Sequence, residues 1–382
     1  MTRILIAPDS LKGSATAVEV AQALGRGWLA VRPQDEVSVT PMADGGEGTI
    51  DSFALAIPGA ALMPVTVTGP DDRPIDAHWL LLPDCTGVVE LASTSGITLL
   101  DPLRPMTAHT RGFGQAIAAA LDHGVDRLLL AIGGSSSTDG GVGALTELGA
   151  KFLDDRGRPI RDGGIGLADL HSVDLAGLRT LPPGGAIVLS DVTSPLTGVD
   201  GATAVFGPQK GSTPGDVDAL DDGLTRLASF ALTTGEDGSD FPGAGAAGGV
   251  GYGLMAWGAS ISAGSSAVGD ALGIPTLIAH SALVITGEGW LDSQSLAGKV
   301  PSYLLGLADA ASVPIAFVAG AVQGPTDAFI VAHSLTTLAG STAAAIAGPL
   351  PWLAHAGREL AQAFPTWPNR HHAQITGDLT PP

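Results

Sequence analysis

Cysteine is nearly absent. Cys85 is the single one in 382 residues, which excludes an intramolecular disulfide framework and leaves no cysteine-rich zinc site. It reads as a structural residue near a strand pair. Long apolar runs are missing too. None reaches the ~20 residues of a membrane-spanning helix, and the apolar stretch in residues 3–8 is too short for a signal peptide. Positive charge is scarce: 18 Lys and Arg stand against 38 Asp and Glu, for a formal net charge of −20. That balance argues against nucleic acid and against anionic membrane surfaces, both of which attract basic proteins. The expectation is a soluble cytoplasmic protein with an acidic, well-solvated surface. The histidines are scattered without metal-ligand spacing, so none is assigned to a metal, and no Gly-x-Ser-x-Gly elbow supports a nucleophilic triad.

Apolar residues and glycine are abundant. A hydrophobic content of 45% with 15% charged residues indicates a globular chain, long enough for two domains. The 54 glycines have no collagen-like period and sit mostly at the ends of apolar runs, where backbone turns tightly or approaches a ligand. Residues 4–7 read as a buried strand, Thr16-Ala17-Val18-Glu19 as a capping box, and Val20, Leu24, Trp28 and Val31 as a helix face. A strand at 37–40 and a helix at 48–56 complete a βαβα opening, the mark of a doubly wound sheet. The alternation returns late, with strands at 282–285, 314–319 and 334–338 and helices at 301–311 and 343–363. Two early and three late strands would form one five-stranded layer built from both chain ends. The middle has a mixed or antiparallel texture, with strands at 65–67, 77–82, 88–91, 127–132 and 186–189 and a loop-rich stretch from 154 to 183. The expected layout is therefore two α/β domains: residues 1–60 plus 275–364, an inserted mixed domain at 61–274, and a loosely attached tail at 365–382.

Five segments share one design, an apolar run ending in a polar, glycine-containing turn. In Val284-Ile285-Thr286-Gly287-Glu288-Gly289-Trp290-Leu291-Asp292 two carboxylates are four residues apart, and Lys299 follows seven residues later. Ligands of open α/β sheets bind beyond the carboxyl ends of the strands. Two acids and a lysine there suit a metal-bound polyphosphate, with carboxylates on Mg²⁺ and the ammonium on phosphate oxygens. The others are Ala7-Pro8-Asp9-Ser10-Leu11-Lys12-Gly13-Ser14, Pro41-Met42-Ala43-Asp44-Gly45-Gly46-Glu47-Gly48-Thr49, Ile132-Gly133-Gly134-Ser135-Ser136-Ser137-Thr138-Asp139-Gly140-Gly141 and Leu189-Ser190-Asp191-Val192-Thr193. The serine-rich loop at 133–141 offers N–H groups and hydroxyls ahead of a helix, an anion-binding nest. It is neither a Walker A loop nor a dinucleotide fingerprint, since both spacings fail. For any one segment a plain turn is the commoner explanation. Lys12 alone would be an ordinary solvated lysine, and Asp191 alone a helix cap. Five in one chain favour a shared crevice.

In this order the segments, with Phe206-Gly207-Pro208-Gln209-Lys210-Gly211 and Pro242-Gly243-Ala244-Gly245-Ala246-Ala247-Gly248-Gly249, resemble the bacterial glycerate kinase family from about Ile4 to about Gly340. The resemblance implies ATP- and Mg²⁺-dependent phosphorylation of D-glycerate to 2-phosphoglycerate. It also implies a flavodoxin-like domain formed by both chain ends and a second α/β domain inserted between them. Three departures stand out: Trp290 where the family commonly has Arg, Ser190-Asp191-Val192-Thr193-Ser194-Pro195 where it has Cys-Asp-Val-x-Asn-Pro, and Thr138 where it has Asn.

The residues expected to carry phosphoryl transfer follow from strand-end position. Asp191 or Asp44 is the base, and Lys12 and Lys299 meet anionic groups. Asp191, Glu288 and Asp292 hold the metal. Ser10 and the loop of Gly133, Gly134, Ser135, Ser136 and Ser137 contact the substrate carboxylate or phosphate. Two other readings are weighed: a kinase for another small hydroxy acid, favoured by Trp290, and a non-catalytic clamp that binds an acid without turning it over. Metal-binding acids argue against the clamp.

Overall fold

Short segments, several of them apolar and flanked by glycine or aspartate, set the strands of this protein. The computed structural model describes residues 2–232, 238–291 and 299–367. In chain order the strands are β1 (Arg3–Ile6), β2 (Glu36–Val39), β3 (Ala61–Thr68), β4 (Pro74–Leu81), β5 (Thr86–Glu90) and β6 (Arg127–Ala131). They continue as β7 (Lys151–Leu153), β8 (Ser172–Asp174), β9 (Ala186–Leu189), β10 (Ser260–Ser262), β11 (Leu283–Leu291), β12 (Ile315–Val322) and β13 (Val331–Ser334). The chain divides into two compact units, residues 1–43, 51–56 and 265–382 forming the first and residues 44–50 and 57–264 the second.

The first unit carries a five-stranded sheet in the order β13-β12-β11-β1-β2, with every pairing parallel. Read from the other edge this is the 2-1-3-4-5 order of a flavodoxin-like fold, and its direction of winding reverses between β1 and β11. Ile4, Leu5 and Ile6 are wholly buried, as expected of a strand covered on both faces. The helix Ala17–Val31 begins at the capping box, where Thr16 accepts from the Glu19 N–H and the Glu19 carboxylate accepts from the Thr16 N–H. Its Val20, Leu24 and Trp28 face the core. Gly27 allows it to lie against the helix Pro349–Ala363, since a Cβ there would stand 2.1 Å from the Ala354 carbonyl oxygen.

The second unit holds a six-stranded sheet, β10-β9-β6-β5-β4-β3, in which β10, β9, β6 and β5 pair in parallel and β4 and β3 are antiparallel. A small antiparallel pair joins β7, just before the stretch read as loop-rich, to β8 within it. Aliphatic residues of β5, β6 and β9 form its core with Phe113, Ile117 and Tyr252.

Three expectations are corrected. The strand expected at 334–338 is β13, ending at Ser334, and Leu335–Ala339 is a helix capped by the Ser334 side chain accepting from the Thr337 N–H. The single helix expected at 343–363 is two, Thr342–Ala347 and Pro349–Ala363. Pro349 has no N–H to continue the first helix and is pre-set to start the second. Strand β11 runs on to Leu291, so Gly287-Glu288-Gly289-Trp290, expected as a turn, is paired strand against β12. Glycine at 287 permits this, because a Cβ there would meet the Val318 carbonyl oxygen at 2.1 Å.

Candidate active site

In the first unit, candidate residues collect where β1 and β11 end. The Asp9 N–H donates to the Gly287 carbonyl at 2.8 Å, and the Thr286 hydroxyl donates to the Ala7 carbonyl at 2.9 Å. These bonds carry the chain after β1 alongside β11 as far as Glu288. Asp9 and Glu288 are both buried carboxylates, 7% and 8% exposed. Asp9 also accepts from the Ser10 N–H at 2.6 Å, which fixes the turn carrying Ser10. Lys12 is exposed and lines a cleft with Ser14, Gly289, Trp290, Thr336 and Ile346. Trp290 and Ile346 are 50% and 56% exposed, an apolar rim beside hydroxyls and a cation at the switch point of the sheet. Lys299 is half-buried and stands immediately before the helix Val300–Ala311. Asp292 lies outside the described residues.

In the second unit, candidates from three distant parts of the sequence meet through backbone contact. The segment 44–46 crosses the carboxyl ends of β6 and β9. Gly45 has φ +87° and approaches Leu189 so closely that a Cβ would stand 2.4 Å from its carbonyl oxygen. The Gly133 N–H donates to the Gly45 carbonyl at 3.0 Å, and a Cβ on Gly133 would lie 2.6 Å from Gly46 Cα. Asp44, Gly133 and, two residues beyond Leu189, Asp191 thereby share one sheet edge. Asp44 and Asp191 are half-buried, and one Asp191 carboxylate oxygen is fully buried.

The serine-rich loop is tied from several sides. The Ser136 N–H and hydroxyl both donate to the Ser95 carbonyl, at 3.1 and 2.8 Å, so Ser136 anchors the loop. Asp139, 1% exposed, accepts from the N–H groups of Thr110, Gly141 and Gly143 and from the Thr110 hydroxyl. That carboxylate is satisfied and structural. The Gly140 N–H goes to the Gly248 carbonyl. Of the nest expected over 133–141, the start keeps its capacity: among the described residues the Gly134 and Ser135 N–H groups make no backbone hydrogen bond. The Ser137 and Thr138 hydroxyls are buried with no hydrogen-bond partner among the described residues.

Beneath this loop lies Lys210, 2% exposed, to which the sequence assigned no role. Its ammonium donates to Ser135 Oγ at 2.8 Å and to the Ser137 carbonyl at 2.5 Å. Burial pushes its pKa down to about 7, while the Asp139 carboxylate pulls it the other way. Space for it comes from the glycine-rich segment at 242–249, where Ala247, Gly248 and Gly249 are all left-handed. A Cβ on Gly248 would stand 2.1 Å from the Ser137 carbonyl oxygen and 2.9 Å from Lys210 Nζ. The available signal was the position of Lys210 inside one of the two motifs that carried the resemblance but no chemistry.

A model of the glycerate kinase family matches residues 4–365. The chain belongs to the glycerate kinase family. It is 40% identical to the glycerate kinase of Bacillus subtilis over 342 residues, 88% of this chain and 89% of that one. It is 38% identical to the glycerate 2-kinase of Escherichia coli over 373 residues, 94% and 97% of the two chains. A crystal structure of a protein assigned as glycerate kinase 2 from Salmonella typhimurium LT2 superposes with a TM-score of 0.82 at 37% identity, covering 96% of this chain and 98% of that one. Membership of the glycerate kinase family makes the chain a kinase, with the ATP use and small-molecule substrate that the family implies. No described helix is long and apolar enough to cross a membrane.

For a glycerate kinase the donor set suits Mg²⁺, a hard cation that prefers carboxylate oxygen. Glu288 offers such an oxygen from a largely buried side chain on β11. Among the described residues Asp72, His109 and Asp162 also bring three ligand atoms within 4.8 Å of one another. That group does not fit a metal. His109 Nδ1 accepts from the Arg111 N–H at 3.4 Å, leaving Nε2 to carry the proton toward Asp72 at 3.3 Å, and Arg111 already pairs with Asp162 at 3.3 Å.

Proposed function

We propose that this chain phosphorylates D-glycerate at O2, using ATP and Mg²⁺. The observation that supports this reading is that, in a member of the glycerate kinase family, each unit carries its acids and cations at the carboxyl ends of parallel strands. In phosphoryl transfer the protein supplies mainly position and charge. Asp44 or Asp191 accepts the proton of the substrate hydroxyl, whose oxygen then forms the bond to the γ-phosphorus as the bond to ADP breaks. Glu288 and Asp292 would hold the metal, whose charge, when bound, would offset that of the polyphosphate. Lys12 and Lys299 meet anionic oxygens, and Ser10 with Gly133 to Ser137 orients the carboxylate or phosphate. The cleft of the first unit receives the nucleotide, the base stacking on Trp290 and the phosphates directed to Lys12. The O2 assignment is supported by the E. coli relative described as a glycerate 2-kinase.

The test is ADP release from ATP and Mg²⁺ with D-glycerate, against L-glycerate and no-acid controls, followed by NMR of the product. Phosphorus coupled to the proton on C2 marks 2-phosphoglycerate, and coupling to the C3 protons overturns the O2 assignment. A second reading is favoured by Trp290, which stands where the family commonly has Arg. It holds that another small hydroxy acid is the preferred acceptor. A hydroxy-acid panel compared by kcat/KM decides between them, D-glycerate being expected to lead.

A further inference from the structure

Lys210 is a fully covered cation with no part in the chemistry above. Its position is costly. The folded-state pKa, about 7, lies below the ordinary 10.5, so between those values the unfolded chain holds a proton that the folded chain releases. Stability therefore rises with pH through that window, and below it the charged ammonium opposes folding in full. An apolar side chain of similar length would avoid this cost. The geometry says what the charge does instead. An ammonium has three donors and no acceptor, and two of them are spent on Ser135 Oγ and the Ser137 carbonyl. A hydroxyl oxygen that accepts from an ammonium keeps its own hydrogen for donation elsewhere. Ser135 is thus committed as a donor, next to the Gly134 and Ser135 N–H groups.

We propose that Lys210 is a positioning residue for the serine-rich loop, fixing Ser135 and Ser137 from beneath so that the Ser135 hydroxyl and the adjacent N–H groups face an oxyanion of the acid or phosphate bound there. This rests on the loop being the anion site of the proposed kinase. Lys210 acts through the loop, and its charge also favours an anion held above it. Binding of an anion in turn favours the charged form, so at alkaline pH binding takes up a proton. The ionisable group facing Lys210 is Asp139, whose carboxylate is committed to Thr110, Gly141 and Gly143.

The test uses the full chain and two probes whose charge is constant from pH 6 to 9, D-glycerate and sulfate. Calorimetric titration in buffers of different ionisation enthalpy reads both affinity and protons taken up. In the wild type, affinity is expected to weaken as pH rises through the neutral range, with net proton uptake at pH 8. K210M should lose about tenfold in affinity near pH 6.5 and show neither the pH dependence nor the uptake. S135A, a smaller change that keeps the fold should K210M lose it, is expected to weaken binding several-fold. Wild-type affinity in S135A, or proton uptake persisting in folded K210M, overturns the proposal. Sulfate binding that depends on Lys210 in a protein inert toward D-glycerate would retain this inference while removing the kinase reading.

Discussion

Asp44 and Asp191 compete for the role of base, and their surroundings suggest how to separate them. Both are half-buried on the carboxyl edge of the second unit, and Asp191 has one oxygen fully buried. Replacing a general base by its amide removes the proton acceptor with little change in volume, and such groups supply roughly 10²- to 10⁴-fold in rate. One of Asp44→Asn and Asp191→Asn is therefore expected to lose that much kcat with KM for D-glycerate little changed. The other should act mainly through KM or the Mg²⁺ requirement. Near-normal kcat in both folded variants would remove the base assignment. Trp290 offers a different readout. Stacking on a base is worth about 1–3 kcal/mol, so Trp290→Ala should raise KM for ATP from several-fold to about a hundredfold and leave KM for D-glycerate unchanged. An unchanged KM for ATP would mean that the nucleotide does not use this ring. At this scale what was legible was position, since Lys12, Asp44 and Asp191 stand within six residues of the ends of β1, β2 and β9. Lys210 escaped because its role depends on a loop more than 70 residues away, at Ser135 and Ser137, and nothing local distinguishes a buried lysine from a solvated one.

At the scale of elements, glycine decides which segments can touch. The contact of 44–46 with the strand ends tolerates no side chain at 133, where a Cβ would be 2.6 Å from Gly46 Cα. Gly133→Ala must push the two segments apart, and forced overpacking of this kind costs about 1–3 kcal/mol. Both the melting temperature and kcat are expected to fall, because the displaced segment carries Asp44. Thr16→Ala is the matched control. Loss of its capping box should cost about 1 kcal/mol in a helix of the first unit that takes no part in the 44–46 contact, with a smaller fall in kcat than Gly133→Ala shows, at a temperature where both variants are folded. If Gly133→Ala kept wild-type kcat, the 44–46 segment would have no positioning role. These close approaches were not readable beforehand, since a glycine that turns the chain and one that admits a neighbouring backbone look alike in sequence. The five-stranded parallel sheet was readable, because strands such as β1 and β12 are short continuous apolar runs. The helix Leu335–Ala339 was misread as strand because so short an apolar run carries too few residues to reveal its period, and its Ser334 cap also ends β13.

For the molecule as a whole, charge sets a tension with the reaction. A chain of net charge −20 is proposed to bind two anions, and only four of its residues, Lys12, Lys151, Lys210 and Lys299, are lysines. Three of the four lie in the segments that carry the family likeness. The long-range field therefore repels both substrates, and attraction has to come from a few cations at short range. Salt separates the two contributions by distance: the screening length falls from about 30 Å at 0.01 M to about 8 Å at 0.15 M ionic strength. Raising potassium chloride over that range should weaken the distant repulsion more than the contacts within the site. With ATP and Mg²⁺ saturating at every salt concentration, kcat/KM for D-glycerate is expected to rise severalfold, opposite to the fall seen when a positive funnel steers an anion. A steady fall would instead mean that Lys12 and Lys299 outweigh the net charge at the distances over which the acid is captured.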